Sequence, residues 1–124
     1  MFYTMKGIDH IQLAAPAGCE EKARTFFGSI LGMEEIEKPE SLKKNGGVWF
    51  RCGNQELHIG VEEDFNPARK AHPAFYIEYL QYLRDHLEKH DVQVKTDNRL
   101  PGYRRFYATD PFGNRLEFLE KEVG

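Results

Sequence analysis

The stretch GNQELHIGV, residues 53–61, decides how this chain is read, because GNRLEFLE, residues 113–120, repeats its plan near the other end. Both open on Gly-Asn, a pair suited to a tight turn, and both continue as an alternating strand. In the first copy Leu57, Ile59 and Val61 share one face and leave His58 on the other. In the second, Leu116 and Phe118 leave Glu117 on the opposite face. An imidazole and a carboxylate at matched places on two similar strands point to one unit used twice.

Reading outward, each half follows the same order. Gly7 to Leu13 alternates, with His10 and Gln12 on one face and Asp9, Ile11 and Leu13 on the other. From Glu20 to Leu31 the apolar residues Ala23, Phe26, Phe27, Ile30 and Leu31 fall at helical spacing, and Gly32 supplies a stop. Short strands follow at about Met33 to Lys38, Val48 to Cys52 and Gln55 to Val61. In the second half Ala74 to Tyr79 reads as a strand, and Leu80, Leu83 and Leu87 mark a helix ending near His90. Strands come next at Val92 to Thr96, Arg104 to Thr109 and Arg115 to Glu120. The last two are joined by the turn Asp110-Pro111-Phe112-Gly113-Asn114. The expectation is an α+β fold: two βαβββ modules, about 7–62 and 70–121 of a single domain spanning 1–124, paired into a curved mixed sheet around a metal cleft.

Four residues fit that plan as candidate ligands. His10 and His72 stand 62 residues apart, and His58 and Glu117 stand 59 apart. Each has the parity of the face turned from the helices, so all four would line the cleft. His86 and His90 lie one helical turn apart outside the repeat and read as surface. Trp49, Phe50, Phe75, Tyr76 and Phe106 would wall a pocket, although alternation sends half of them into the core. Arg51, Arg104, Arg105 and Arg115 would bring positive charge to an anionic substrate.

Composition sets the bounds. Charged residues at 30% and apolar ones at 40% describe an ordinary folded globule. A net charge of −3 gives no reason to expect nucleic acid or an anionic membrane. No apolar run approaches the ~20 residues of a membrane span, and the N-terminus lacks a signal-peptide pattern. Cys19 and Cys52 have no CxxC partner, which suits free thiols in a reducing cytoplasm.

At these positions the chain resembles the vicinal oxygen chelate superfamily, which includes glyoxalase I, fosfomycin-resistance proteins, bleomycin-resistance proteins and extradiol dioxygenases. The resemblance runs from Gly7-Ile8-Asp9-His10, through Leu31-Gly32-Met33, to Asp110-Pro111-Phe112-Gly113-Asn114-Arg115-Leu116-Glu117 and on to Glu120. It implies a divalent metal (Fe, Zn, Ni or Mn) held by His10, His58, His72 and Glu117, with a small-molecule substrate offering vicinal oxygens. It also implies a homodimer, in which His10 and His58 meet His72 and Glu117 within one chain or across two.

The members differ in chemistry. Glyoxalase I-like isomerases usually carry a carboxylate where this chain has His58, so Glu117 alone would serve as base. Fosfomycin-resistance proteins have a Thr two residues after the first His and an Arg after the Glu; here Gln12 stands at the first place and no Arg follows Arg115. The extradiol pattern is closest, because Phe106-Tyr107-Ala108-Thr109-Asp110-Pro111-Phe112-Gly113 and Glu117 follow it, while Asn98 replaces its upstream His. By that resemblance His10, His72 and Glu117 form the triad. His58 is then an acid/base behind it or a fourth ligand, and Tyr107 is a hydrogen-bond donor or a packing aromatic. The expected catalytic set is therefore Glu117, His58 and Tyr107, with ring cleavage ahead of isomerisation. A metal-free binding module of the bleomycin-resistance kind is the alternative.

Overall fold

In the first half the chain runs β1 (His10–Ala15), a helix beginning as α1 (Glu20–Ala23), β2 (Glu34–Ile36), β3 (Val48–Cys52) and β4 (Gln55–Val61). The computed structural model describes residues 2–123. The four strands form one mixed sheet in the order β1-β4-β3-β2, with β1 parallel to β4. The helix is the crossover that a parallel pair requires. One face of the sheet gives Val48, Phe50, Leu57 and Ile59 to a core completed by Ala23, Phe26 and Phe27, all buried. The Phe27 ring lies 5.8 Å from that of Phe50.

The second half repeats this with β5 (Ala74–Tyr76), α2 (Leu80–Lys89), β6 (Lys95–Thr96), β7 (Tyr103–Thr109) and β8 (Arg115–Lys121), in the sheet order β5-β8-β7-β6. Its core stacks Phe75 and Phe106 on Phe118, each at 5.4 Å, beside Leu80, Leu87, Ala108 and Leu116. The chain divides between Asp64 and Phe65 into two compact units, each holding one copy of the expected βαβββ order. The fold is α+β, as alternation and helical spacing predict. No helix among the described residues is long and apolar enough to cross a membrane.

Several boundaries differ from the sequence expectation. The first helix is α-helical only over Glu20–Ala23; Arg24–Ile30 winds in wider turns, with Leu31 N–H reaching Phe26 O at 2.9 Å. Apolar spacing fixes which side is buried but not the pitch that buries it. β6 is two residues long, because only Lys95 and Thr96 pair with β7 at this sheet edge. A 3-10 segment, Glu40–Asn45, lies where no element was expected. Of the aromatics expected to wall a pocket, Phe50, Phe75 and Phe106 are core, while Trp49 and Tyr76 have the opposite parity.

Three carboxylates fasten the loops. Glu20 Oε2 accepts Gly47 N–H at 2.7 Å, which ties the start of the helix to the loop before β3. Glu120 accepts the N–H groups of Tyr79 (2.7 Å) and Leu80 (3.2 Å) at the head of α2. Asp110 accepts from Phe112 N, Asn114 N and Asn114 Nδ2 inside the last turn. Burial pushes the Asp110 carboxyl up, whereas the backbone donors of Gly47 and Tyr79 hold Glu20 and Glu120 below their ordinary value of 4.5.

Gly47 has φ +87°, and a Cβ there would fall 2.1 Å from the Ile59 carbonyl oxygen. Gly47→Ala therefore combines left-handed strain with a backbone clash. It should lower stability by about 3 kcal/mol or more, read as a lower urea midpoint at unchanged slope. A group whose pKa is depressed by folding stabilises the protein above its unfolded value and loses that contribution as pH falls. Stability carried by Glu120 should thus be present above about pH 4.5 and drain away below it. Melting curves from about pH 6 down to about pH 3 should show a shallower decline for Glu120→Gln than for the parent protein.

Candidate functional site

The face of each sheet turned from its core carries the predicted residues. In the first unit the strand register sets Gln12 and Trp49 beside His58, and His10 beside Glu56. His58 is buried on the central strand β4, between a neighbour on β1 and one on β3. Trp49 lies flat against it, ring centroids 3.7 Å apart and 2° from parallel, and His10 stacks on it at 4.2 Å. The Nε2 of His58 is 2.9 Å from Glu56 Oε1, whereas the exposed His10 is held through Nδ1 by Asp9 Oδ1 at 2.9 Å.

In the second unit Glu117 on β8 pairs with Ala74 on β5 and Tyr107 on β7. It is buried, and its two oxygens have different partners. Oε1 lies 2.8 Å from His72 Nε2, and Oε2 accepts from Arg105 Nη1 at 3.1 Å. Arg105 reaches Asp97 at 3.4 Å, and Arg99 grips Asp97 from the solvent side. Burial alone would raise the Glu117 carboxyl; the hydrogen bonds from His72 and Arg105 outweigh it and leave the group below its ordinary value. The Tyr107 ring meets the His72 ring edge-on at 5.5 Å.

The structure thus gathers His10 with His58 in the first unit, and His72 with Glu117 and Tyr107 in the second. Among the described residues, no three His, Cys, Asp or Glu side chains form a ready metal site. The donor chemistry of each pair nonetheless suits a divalent cation. His72 Nδ1 is 2.7 Å from the Lys70 carbonyl oxygen, so both of its ring nitrogens face acceptors. A cation at Nε2 would leave Nδ1 free to donate to the carbonyl. The 2.8 Å separation of Nε2 and Oε1 is a hydrogen-bond distance, and two tetrahedral ligands about 2.1 Å from one ion would stand roughly 3.4 Å apart, so the pair would spread slightly to share an ion. Holding Nδ1 with an acceptor is the usual way to aim Nε2 at a metal. His10 and His72 share that arrangement, while His58 is engaged through Nε2 itself.

Sequence reading passed over Glu56, although its parity with His58 placed a second carboxylate on the same face. Arg105 was marked as a cation but not as the partner of Glu117. Its alternation with Tyr107 carried that signal. Asp97, in an aperiodic loop, carried none.

The fold has relatives among solved structures. A protein from Bacillus anthracis assigned to the glyoxalase family is 56% identical to this chain; its crystal structure matches with a TM-score of 0.96 over 98% of this chain and 100% of that one. Lactoylglutathione lyase from Agrobacterium tumefaciens shares the fold at 23% identity, with a TM-score of 0.74 over 95% of this chain and 96% of its own. A glyoxalase/dioxygenase from Nostoc punctiforme does so at 20% identity, with a TM-score of 0.78 over 95% and 92%. No curated protein matches the sequence. The family model of the Glyoxalase/Bleomycin resistance protein/Dioxygenase superfamily matches residues 7–118, and the chain belongs to that superfamily.

Proposed function

We propose that the chain is a metal-dependent enzyme acting on a small substrate with two adjacent oxygens. His10, His72 and Glu117 are the ligands in this reading, and His58 is an acid/base. The observation that carries it is the His72–Glu117 contact, an imidazole and a carboxylate 2.8 Å apart with the far imidazole nitrogen fixed by a carbonyl. A bound Fe, Zn, Ni or Mn ion would supply Lewis acidity toward the substrate oxygens. The residues do the rest. Tyr107, cross-strand partner of Glu117, is the hydrogen-bond donor in this reading. Glu56 holds the His58 ring through Nε2 and would stabilise the imidazolium formed when His58 takes up a proton. Arg105 pins Oε2 of Glu117 and leaves Oε1 for binding.

Ring cleavage is the reaction favoured by Tyr107, which stands ten residues before Glu117 as in the extradiol pattern and whose ring borders His72. A specific observation favours isomerisation as the second reading. Glu56 restores a second carboxylate to the face where His58 displaced the expected one. A homodimer belongs to the same proposal, because each sheet ends in open edges, β1 and β2 in one and β5 and β6 in the other. So does a cytoplasmic setting, supported by two free cysteines whose thiols burial makes less acidic.

Titration of chelator-treated protein should show uptake of about one divalent ion per chain with release of a proton. His10→Ala, His72→Ala and Glu117→Ala should each weaken uptake by about 100-fold or more, and His58→Ala by less. Absence of specific uptake by the folded parent would remove the enzyme reading. Fe(II)-loaded protein should consume oxygen with a simple catechol, and Tyr107→Phe should slow this by about 10- to 100-fold while metal content holds. Turnover of a methylglyoxal–thiol adduct with Ni or Zn, abolished by Glu56→Gln and without oxygen uptake on catechols, would select isomerisation instead.

A further inference from the structure

A cavity of about 750 Å³ lies in the second unit against β6, β7 and the start of β8, large enough for a small organic ligand. Its described lining comes from separate stretches of chain, around residues 68–69, 93–99, 107–109 and 113–115. Four of the lining side chains are cationic: Arg69, Lys95, Arg99 and Arg115. The one lining carboxylate, Asp97, is already taken by Arg99 and Arg105. Arg69, Lys95 and Arg115 have no carboxylate partner among the described residues, on a chain whose net charge is −3. Arg115 is further fixed by stacking over the Tyr107 ring at 4.1 Å, which keeps its planar donors in place. Asn98 adds a neutral amide to the same lining. Cations from separate stretches of the chain line one concavity, and among the described residues only Arg99 of the four is paired with a carboxylate.

We infer that this cavity is an anion-binding pocket that takes a carboxylate or phosphate group of the substrate. The link to a substrate rests on the proposed function, and it runs through Tyr107, which lines the cavity and also borders His72 and pairs with Glu117. A ligand anchored by its anionic end at Arg115 and Lys95 then extends past Tyr107 toward the His72–Glu117 pair. The substrate class is accordingly an acid or phosphate ester whose charged group stands apart from its vicinal oxygens. Neutral catechols and neutral carbonyl adducts lack that anchor.

The test uses the full chain, freed of metal by a chelator and desalted, titrated calorimetrically at low salt with inorganic pyrophosphate and separately with benzene-1,3-dicarboxylate. At least one probe should bind saturably, and more weakly as salt screens the exposed cations. Arg115→Gln and Lys95→Gln should each weaken binding by about tenfold or more, and Arg115→Lys by less, because it keeps the charge. Lys22→Gln, on α1 in the other unit, should leave binding unchanged. Thermal melts of each variant separate lost binding from lost folding. Preference for pyrophosphate assigns a phosphate ester, and preference for the dicarboxylate assigns a carboxylic acid. Saturable binding by neither probe, or equal weakening by Lys22→Gln, overturns the pocket. Because the titration needs no metal, a failure of metal uptake leaves its outcome unaffected, and its own failure leaves the metal reading intact.

Discussion

β4 and β8 are the strands on which everything else in their sheets leans. Each is flanked on both sides by hydrogen-bonded neighbours, and each must give one whole face to an aromatic core. Strand geometry then leaves no freedom about the other face. Leu57 and Ile59 are buried, so His58 points away; Leu116 and Phe118 are buried, so Glu117 points away. A slip of one residue in either strand would send a charged or polar group into packed phenylalanine rings and expose leucine. The hydrophobic requirement of the core therefore fixes the chemistry of the opposite face.

The two units solve the problem of a buried polar group differently. His58 is sheltered mainly by flat contact with rings, and a single carboxylate from its own strand completes it. Glu117 is charged at neutral pH, and its burial is tolerable because each oxygen has a cationic or protonated partner. The support continues outward, from Arg105 to Asp97 and from Asp97 to Arg99 at the surface. One half of the repeat keeps a ring-stacked arrangement; the other keeps a chain of alternating charges. The two units share one strand order, and the side chains on it differ in electrostatic character.

Much of this was legible in the sequence, and what was hidden has physical causes. Period-two alternation located β3 and β4 to the residue, because a half-buried strand cannot disguise its faces. The same parity set His10, His58 and Glu117 on the faces turned from the cores, and it also contained Glu56. The wide turns over Arg24–Ile30 were hidden because Ala23, Phe26 and Phe27 satisfy an α-helical stripe equally well. Edge strand β6 was overestimated because Val92 to Thr96 has strand-forming residues but few backbone partners. The contacts that hold His72 and Arg105, from the Lys70 carbonyl and Asp97, come from aperiodic segments. Their placement depends on loop geometry, which no repeating pattern encodes.

Trp49 is the sole tryptophan of the chain, and it rests on the imidazole of His58 with its ring 2° from parallel. An indole in such contact is sensitive to the electronic state of the ring against it. A positively charged imidazole draws density from the indole face, and a neutral one does not. The protein thus contains its own optical probe, placed in van der Waals contact with a candidate acid/base and requiring no label. Its emission has no competing indole to mask it, so any event that changes the charge or tilt of His58 is written into the fluorescence of the native chain.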